Sequence, residues 1–236
     1  MAIAVAEQIV GYLTKGVIRN AVNFPSVSAE LLNVIQPYLG LAEKLGMFEA
    51  QLIAGGIEQV TIEYSGEIIN HNVAPLTISL LKGLLTPILN ENINYINAPV
   101  VAKERGIRVV EAKSSEIKDY TSMITLSVKT TQGESCAAGA IFGRQDARIV
   151  RIDKFSVEVV PEGRMLVLYN TDRPGVIGNI GTTLGSHGIN IARMHLSREQ
   201  VDGQALVVLS TDSVVPVDVM DKLRSLPHVV SVKALE

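Results

Sequence analysis

The segment best equipped to bind a ligand is LYNTDRPGVIGNIGTTLGSHGINIARM, residues 168–194. Its Pro-Gly pair is typical of a helix start, where the first backbone N–H groups lack partners within the helix and can bind a carboxylate. Asp172 stands just before that start and can pair with an ammonium group, while Asn170 and Asn190 each offer a donor and an acceptor. We therefore predict a site for a small zwitterion with a hydroxyl group, such as serine, formed by Asn170, Asp172, the amides of Gly175 and Val176, and Asn190.

A purely structural interpretation of these residues stays open at this point. Asp172 can serve as a helix cap and Asn190 can satisfy a turn. The glycines of the segment do not form a nucleotide-binding loop, because their spacing is not G-x-G-x-x-G and they run along the helix. We expect them to form a thin helical face that lies close to a sheet; they are Gly175, Gly178, Gly181 and Gly185.

The elements around this segment follow a regular order. Strands are predicted at 165–169, 189–196, 205–209 and 229–234, and helices at 174–188 and 217–226. An Asp-Gly pair at 202–203 is typical of a tight hairpin turn. The order is βαββαβ, a ferredoxin-like unit. In this topology we expect the strand that follows Asn190 to pair near the first strand and so bring Asn190 to the site.

The pattern of the first part of the chain predicts an α+β domain with an antiparallel sheet. An amphipathic helix is expected over residues 1–16, followed by a linker at 16–25 and a helix capped by Ser28. Pro37 should end that helix and start another. A buried helix is predicted at 74–89 and a short one at 97–104. Strands are predicted at 60–64, 107–111, 123–129, 136–142 and 148–160, with a domain boundary at Pro-Glu-Gly, residues 161–163.

The second part resembles an ACT domain. D-R-P-G-V, then G-x-x-L and G-I-N-I, is similar to the ACT pattern of phosphoglycerate dehydrogenases, and the likeness covers nearly all of residues 165–236. In that family the effector L-serine sits between the ACT domains of neighbouring subunits. The resemblance implies the same role for Asn170, Asp172 and Asn190, and it implies a homo-oligomer. Family members vary at the position of Asn170.

The resemblance extends upstream to the long-form D-3-phosphoglycerate dehydrogenases. The stretches N-A-V-N-F-P, L-A-E-K-L-G, Y-S-G-E-I, L-L-K-G-L-L and N-Y-I-N-A-P-V-V-A-K-E-R-G-I are similar, in the same order, to the intervening domain of these enzymes. The implied organisation is an N-terminal helix and linker from the catalytic half (1–16), an intervening allosteric substrate-binding domain (17–161) and an ACT domain (162–236). The implied second site would bind an anion through Arg148, Arg151 and Lys154, which otherwise read as solvated strand residues.

The resemblance does not extend to catalytic residues. The Gly-rich loop and the Arg, Glu and His set of the catalytic half cannot be found, and the four histidines stand in no motif. We predict that the segment alone is inactive and binds no cofactor or metal, whereas the parent protein would be an NAD-dependent enzyme of serine biosynthesis.

Composition limits the partners. Charged residues make up 19% of the chain, below the roughly 25% of an average soluble protein, so we expect an oligomer that covers apolar surface. A net charge of −3 favours neither nucleic acid nor a membrane surface. The single cysteine, Cys136, excludes an intrachain disulfide, and the N-terminus has neither a signal-peptide nor a membrane-span pattern, so we expect a cytoplasmic protein.

Two other functions stay open. One is a free-standing ACT sensor that acts on a separate partner. The other is a subunit related to iron–sulfur serine dehydratases, which join a similar intervening fold to an ACT domain. One cysteine cannot hold their cluster, which needs several cysteine ligands.

Overall fold

The computed structural model describes residues 2–15, 29–89, 91–116 and 120–236, and the strands among them form two β-sheets. The linker expected at 16–25 and the cap expected at Ser28 lie outside these residues. Helix α1 (Ala2–Lys15) forms where an amphipathic helix was predicted, with Val5 and Ile9 exposed. None of the described helices is both long and apolar enough to cross a bilayer.

The first sheet has six strands in the order β2-β1-β3-β4-β5-β6. The strands are β1 (Ile57–Gly66), β2 (Arg108–Ser114), β3 (Ser122–Thr130), β4 (Gly133–Phe142), β5 (Asp146–Ile152) and β6 (Phe155–Val159). Only the β1–β2 pair is parallel, so the predicted antiparallel sheet is essentially confirmed. The single strand predicted at 148–160 is wrong. Asp153 adopts a left-handed φ of 50°, and the chain folds there into the β5–β6 hairpin.

Helices α2 (Ala29–Leu52) and α3 (Ala74–Leu85) pack against one another and against this sheet, and α4 (Ala98–Glu104) follows them. The predicted break at Pro37 is wrong, because α2 continues through it. The apolar residues on both sides of the proline, Ile35 and Leu41, are fully buried in the same core. Their packing offsets the hydrogen bond that a proline removes from a helix.

The second sheet has four strands in the order β10-β7-β9-β8, which is the ferredoxin-like arrangement. Its elements are β7 (Met165–Thr171), α5 (Val176–Ser186), β8 (Ile191–Arg198), β9 (Gln204–Thr211), α6 (Val217–Ser225) and β10 (Val229–Leu235). The predicted βαββαβ order is therefore confirmed. Helices α5 and α6 cover one face of the sheet through their own apolar core.

The other face of the second sheet packs on the first half of the chain. Val167, Leu206 and Val208 belong to the same buried cluster as Leu45 of α2 and Leu126 of β3. The two sheets therefore share one continuous core.

Polar contacts reinforce this junction. An ion pair joins Lys154, in the β5–β6 turn, to Glu199 just after β8 at 2.6 Å. Gln51 of α2 exchanges two hydrogen bonds with the backbone of Glu236. The strand that carries Arg198 is thus held at its C-terminal end by the first half of the chain.

Candidate functional site

The carboxyl end of β7 carries the first two predicted site residues. Asn170 is buried, with 3% of its surface exposed, and its Nδ2 donates to the Thr171 carbonyl at 3.0 Å. Its Oδ1 is buried and has no hydrogen-bond partner within the part of the chain that the structure describes. A buried acceptor without a donor is costly, so this oxygen is suited to receive one from a ligand.

Asp172 leaves the sheet at the next turn. Its amide donates to the Gly203 carbonyl at 2.8 Å, which fixes the loop against the β8–β9 hairpin. Its carboxylate accepts a hydrogen bond from Arg198 at 2.9 Å, and both side chains are partly exposed. The capping interpretation of Asp172 is not supported, because no side chain caps α5.

The start of α5 is shaped by Gly175, which has a left-handed φ of 91°. That conformation favours glycine and turns the chain sharply into the helix. The amide of Val176 closes this turn by donating to the Arg173 carbonyl at 3.3 Å, while the Val176 side chain is buried. The positive end of the helix dipole therefore lies directly after Asp172.

Asn190 lies at the opposite end of the sheet. Its Nδ2 donates to Asp212 Oδ2 at 2.6 Å, and the residue after it pairs with Thr211 at the end of β9. Asp172 contacts the beginning of the same strand. Eight residues of β9 at about 3.4 Å each put Asn190 roughly 25 Å from Asp172.

The expected proximity of Asn190 within one chain is therefore wrong. Strand β8 pairs with β9, and β9 lies between β8 and β7. Because β7 and β8 both pair antiparallel with β9, they run parallel to each other, so Asn190 before β8 and Asp172 after β7 lie at opposite ends of the sheet.

That edge strand exposes apolar side chains. Met194 and Leu196 are 48% and 51% exposed, and they alternate with residues that face the first half of the chain. An edge strand offers unpaired backbone groups to another strand, so exposed apolar residues there are typical of a pairing surface.

The glycines of α5 do not form the close helical face that we expected. A Cβ atom built on Gly178, Gly181 or Gly185 would meet no atom of the described residues within 4 Å. The face that packs on the sheet is formed instead by Val176, Ile180 and Leu184. Larger side chains fill that space, and the glycines point away from it.

The three cationic side chains predicted to bind an anion in the first half each contact a different partner. Arg148 pairs with Asp146, and Lys154 pairs with Glu199. The Arg151 Nη2 lies 3.7 Å from the Cys136 sulfur, and its Nε is buried without a partner among the described residues. Anion binding by these residues stays a prediction.

Sequence reasoning missed two side chains that contact the site residues, Arg198 and Asp212. The Asp-Gly turn was the available signal for Arg198, because the hairpin register sets it opposite Ala205, near Asp172. Asp212 has no local signal, since only the β8–β9 pairing brings it to Asn190. Within the described ranges no three His, Cys, Asp or Glu side chains cluster as metal ligands would.

Two family models agree with this architecture. Residues 34–153 match the family model of the D-3-phosphoglycerate dehydrogenase intervening domain, and residues 164–228 match that of the ACT domain. Among solved structures, the ACT domain from GTP pyrophosphokinase of Chlorobium tepidum matches 30% of this chain and 95% of its own length, with 25% identity and a TM-score of 0.26.

Curated relatives match almost the whole chain. D-3-phosphoglycerate dehydrogenase of Synechocystis is 41% identical over 92% of this chain, and that of Methanocaldococcus jannaschii is 37% identical over 98%. The match covers 39% and 44% of the two relatives, so the chain spans less than half of their length. The chain belongs to the D-3-phosphoglycerate dehydrogenase family, of which it carries the intervening domain and the ACT domain.

Proposed function

We propose that this chain is the serine-binding and oligomerising regulatory portion of a D-3-phosphoglycerate dehydrogenase, with no catalytic residues of its own. The observation that carries the proposal is the end of β7, where a buried amide oxygen with no partner among the described residues, a carboxylate and a helix start lie within a few residues. These groups match the hydroxyl, ammonium and carboxylate groups of a small amino acid.

The position of Asn190 suggests how two copies complete the site. If the β8 edges of two copies pair antiparallel about a twofold axis, the start of each β8 lies beside the end of the other. The end of β8 is where Arg198 contacts Asp172. Asn190 of the partner subunit would then reach the Asp172 side of the first subunit, across a distance that one chain cannot close.

Ligand binding in this arrangement requires an exchange of partners. Asp172 is engaged by Arg198, and an incoming ammonium group would compete for the same carboxylate. A partly exposed ion pair contributes about 1 kcal/mol or less, so a charge-assisted hydrogen bond in a newly enclosed site can replace it.

Calorimetric titration of the chain with L-serine tests the proposal. Asp172→Ala removes the ammonium partner and should weaken binding about tenfold to a hundredfold, because such a bond is worth roughly 1.5–3 kcal/mol. Asp221→Ala is the matched control: it breaks another exposed ion pair, with Arg224 on α6, and should leave affinity unchanged. No saturable serine binding by the unmodified chain, or equal affinities for it and Asp172→Ala, would refute the proposal.

Mixing two variants tests whether the site is shared between subunits. Asp172→Ala and Asn190→Ala should each bind serine poorly. In an exchanged mixture, half of the dimers are mixed, and each mixed dimer holds one site with both native residues. About a quarter of all sites should therefore regain native affinity. A site formed within one chain would show no recovery.

A further inference from the structure

A carboxyl group is buried at the junction between the two halves. Glu49 lies in the penultimate turn of α2 and is 0% exposed. Neither of its oxygens has a hydrogen-bond partner among the described residues. An ionised carboxylate without partners is costly inside a protein, so the group must be neutral or the packing around it must yield.

Four other elements bring polar groups to Glu49. They are Ser135 of β4, Asp153 of the β5–β6 turn, Tyr169 of β7 and Lys233 of β10. Burial raises the pKa of Glu49 to about 7; the nearby Ser135 hydroxyl opposes the rise, the Asp153 carboxylate adds to it, and the Lys233 ammonium opposes it. The Ser135 hydroxyl influences Glu49 without reaching full hydrogen-bonding geometry.

The neighbouring charges are already engaged elsewhere. Asp153 accepts hydrogen bonds from the Tyr169 hydroxyl at 2.6 Å and from the Cys136 amide at 3.1 Å. The Lys233 ammonium donates to the Leu52 carbonyl at the end of α2. These neighbouring groups therefore form their hydrogen bonds with other partners and not with Glu49.

We propose that Glu49 is a proton-dependent latch: its neutral carboxyl lets the second sheet dock on α2, and its ionisation loosens that docking. A cavity of about 220 Å³ is lined in part by Leu52 and by two of the residues near Glu49, Ser135 and Lys233. This inference does not depend on serine binding, because it concerns the contact between the halves.

The direction of the pH effect follows from the two states of the junction. In the closed state Glu49 holds its proton up to a pH of about 7, whereas in an opened junction its pKa returns to the ordinary value of 4.5. Closure therefore weakens as pH rises between these values. Between pH 6 and pH 8 the opening equilibrium should rise about tenfold and then level off. Tyr169 stays neutral throughout, because burial and the hydrogen bond to Asp153 raise its pKa above the usual range.

Hydrogen–deuterium exchange of the full chain from pH 5.5 to pH 8.5 tests the latch. After division by the intrinsic exchange rate at each pH, peptides from the end of α2 and from β10 should exchange about tenfold faster at pH 8 than at pH 6, and peptides from β3 should change less. Glu49→Gln should abolish this dependence. The matched control Glu158→Gln, an exposed position on β6, should retain it. A flat profile in the unmodified chain, or an equal dependence in Glu49→Gln, would overturn the proposal.

A second variant tests the same latch without removing its carboxyl group. Asp153→Asn keeps an acceptor for Tyr169, and asparagine tolerates the left-handed conformation of this turn. It removes a negative charge that raises the pKa of Glu49, so the rise in exchange should level off at lower pH and the change between pH 6 and pH 8 should be smaller than tenfold. An unshifted profile in Asp153→Asn would mean that Glu49 is not the group that titrates.

Discussion

At the scale of single residues, the side chains of the proposed site differ in whether their polar groups already have partners. The buried Oδ1 of Asn170 has no hydrogen-bond partner in the described part of the chain, whereas Asn190 donates to a carboxylate and Asp172 accepts from Arg198. An unpaired buried acceptor opposes folding, and a donor from a ligand relieves that cost. Asn170 therefore differs from a residue retained for stability.

This difference predicts that stability and binding respond separately at Asn170. Asn170→Ala loses one hydrogen bond, to Thr171, but also removes an unpaired acceptor, so the free energy of unfolding should change by no more than about 1 kcal/mol. Serine affinity should fall about tenfold. Urea denaturation and calorimetry on the same preparation measure both quantities. A loss of several kcal/mol with unchanged affinity would show that the residue is structural.

At the scale of elements, α2 is the helix that contacts both sheets. It packs against α3 and the first sheet, and its last turns meet β10 of the second sheet. Its contact with α3 is close because glycines face the other backbone on each side. A Cβ on Gly46 would lie 2.3 Å from the Leu80 carbonyl oxygen, and one on Gly83 would lie 2.0 Å from that of Glu43.

Two substitutions within α2 should therefore have opposite effects. Gly46→Ala forces the helices apart and should lower the free energy of unfolding by roughly 1–3 kcal/mol. Gly40→Ala is the matched control: its Cβ would meet no atom within 4 Å, and alanine should raise stability by about 0.5–1 kcal/mol. Denaturation midpoints of the two variants measure the contrast. Equal effects would mean that the α2–α3 contact can relax.

At the scale of the whole molecule, the two halves cannot be treated as independent modules. Their sheets share one core, and ion pairs and hydrogen bonds cross between them. The apolar residues of β8 face outward at an edge of the second sheet. The proposed serine site is therefore tied to the first half on one side and open to another copy on the other.

This arrangement predicts which edge of the second sheet forms the dimer. The double substitution Met194→Lys and Leu196→Lys places two like charges from each copy against those of its partner. It should raise the dimer dissociation constant at least about tenfold. Sedimentation velocity across a concentration series measures the shift. Val230→Lys, on the opposite edge strand β10 and 67% exposed, is the matched control and should leave the dimer intact. A native chain that stays monomeric, or equal disruption by Val230→Lys, would contradict β8 pairing.

The sequence by itself determined most of the elements and the topology of the second half. Helix starts, an Asp-Gly turn and strand alternation depend on residues close in the chain, and these local preferences agree with the observed βαββαβ order. The same reasoning located Asn170, Asp172 and the start of α5 at one place, because they follow one another directly.

Tertiary structure decided what depends on contacts between distant residues. Strands β7 and β8 run parallel because both pair antiparallel with β9, and this places Asn190 and Asp172 at opposite ends of the second sheet. Burial on both sides of Pro37 kept α2 continuous against the local preference of proline. The position of Glu49 between the two sheets has no local signature at all. It follows from packing of α2, β4, β7 and β10 around one side chain, and only the folded chain brings these elements together.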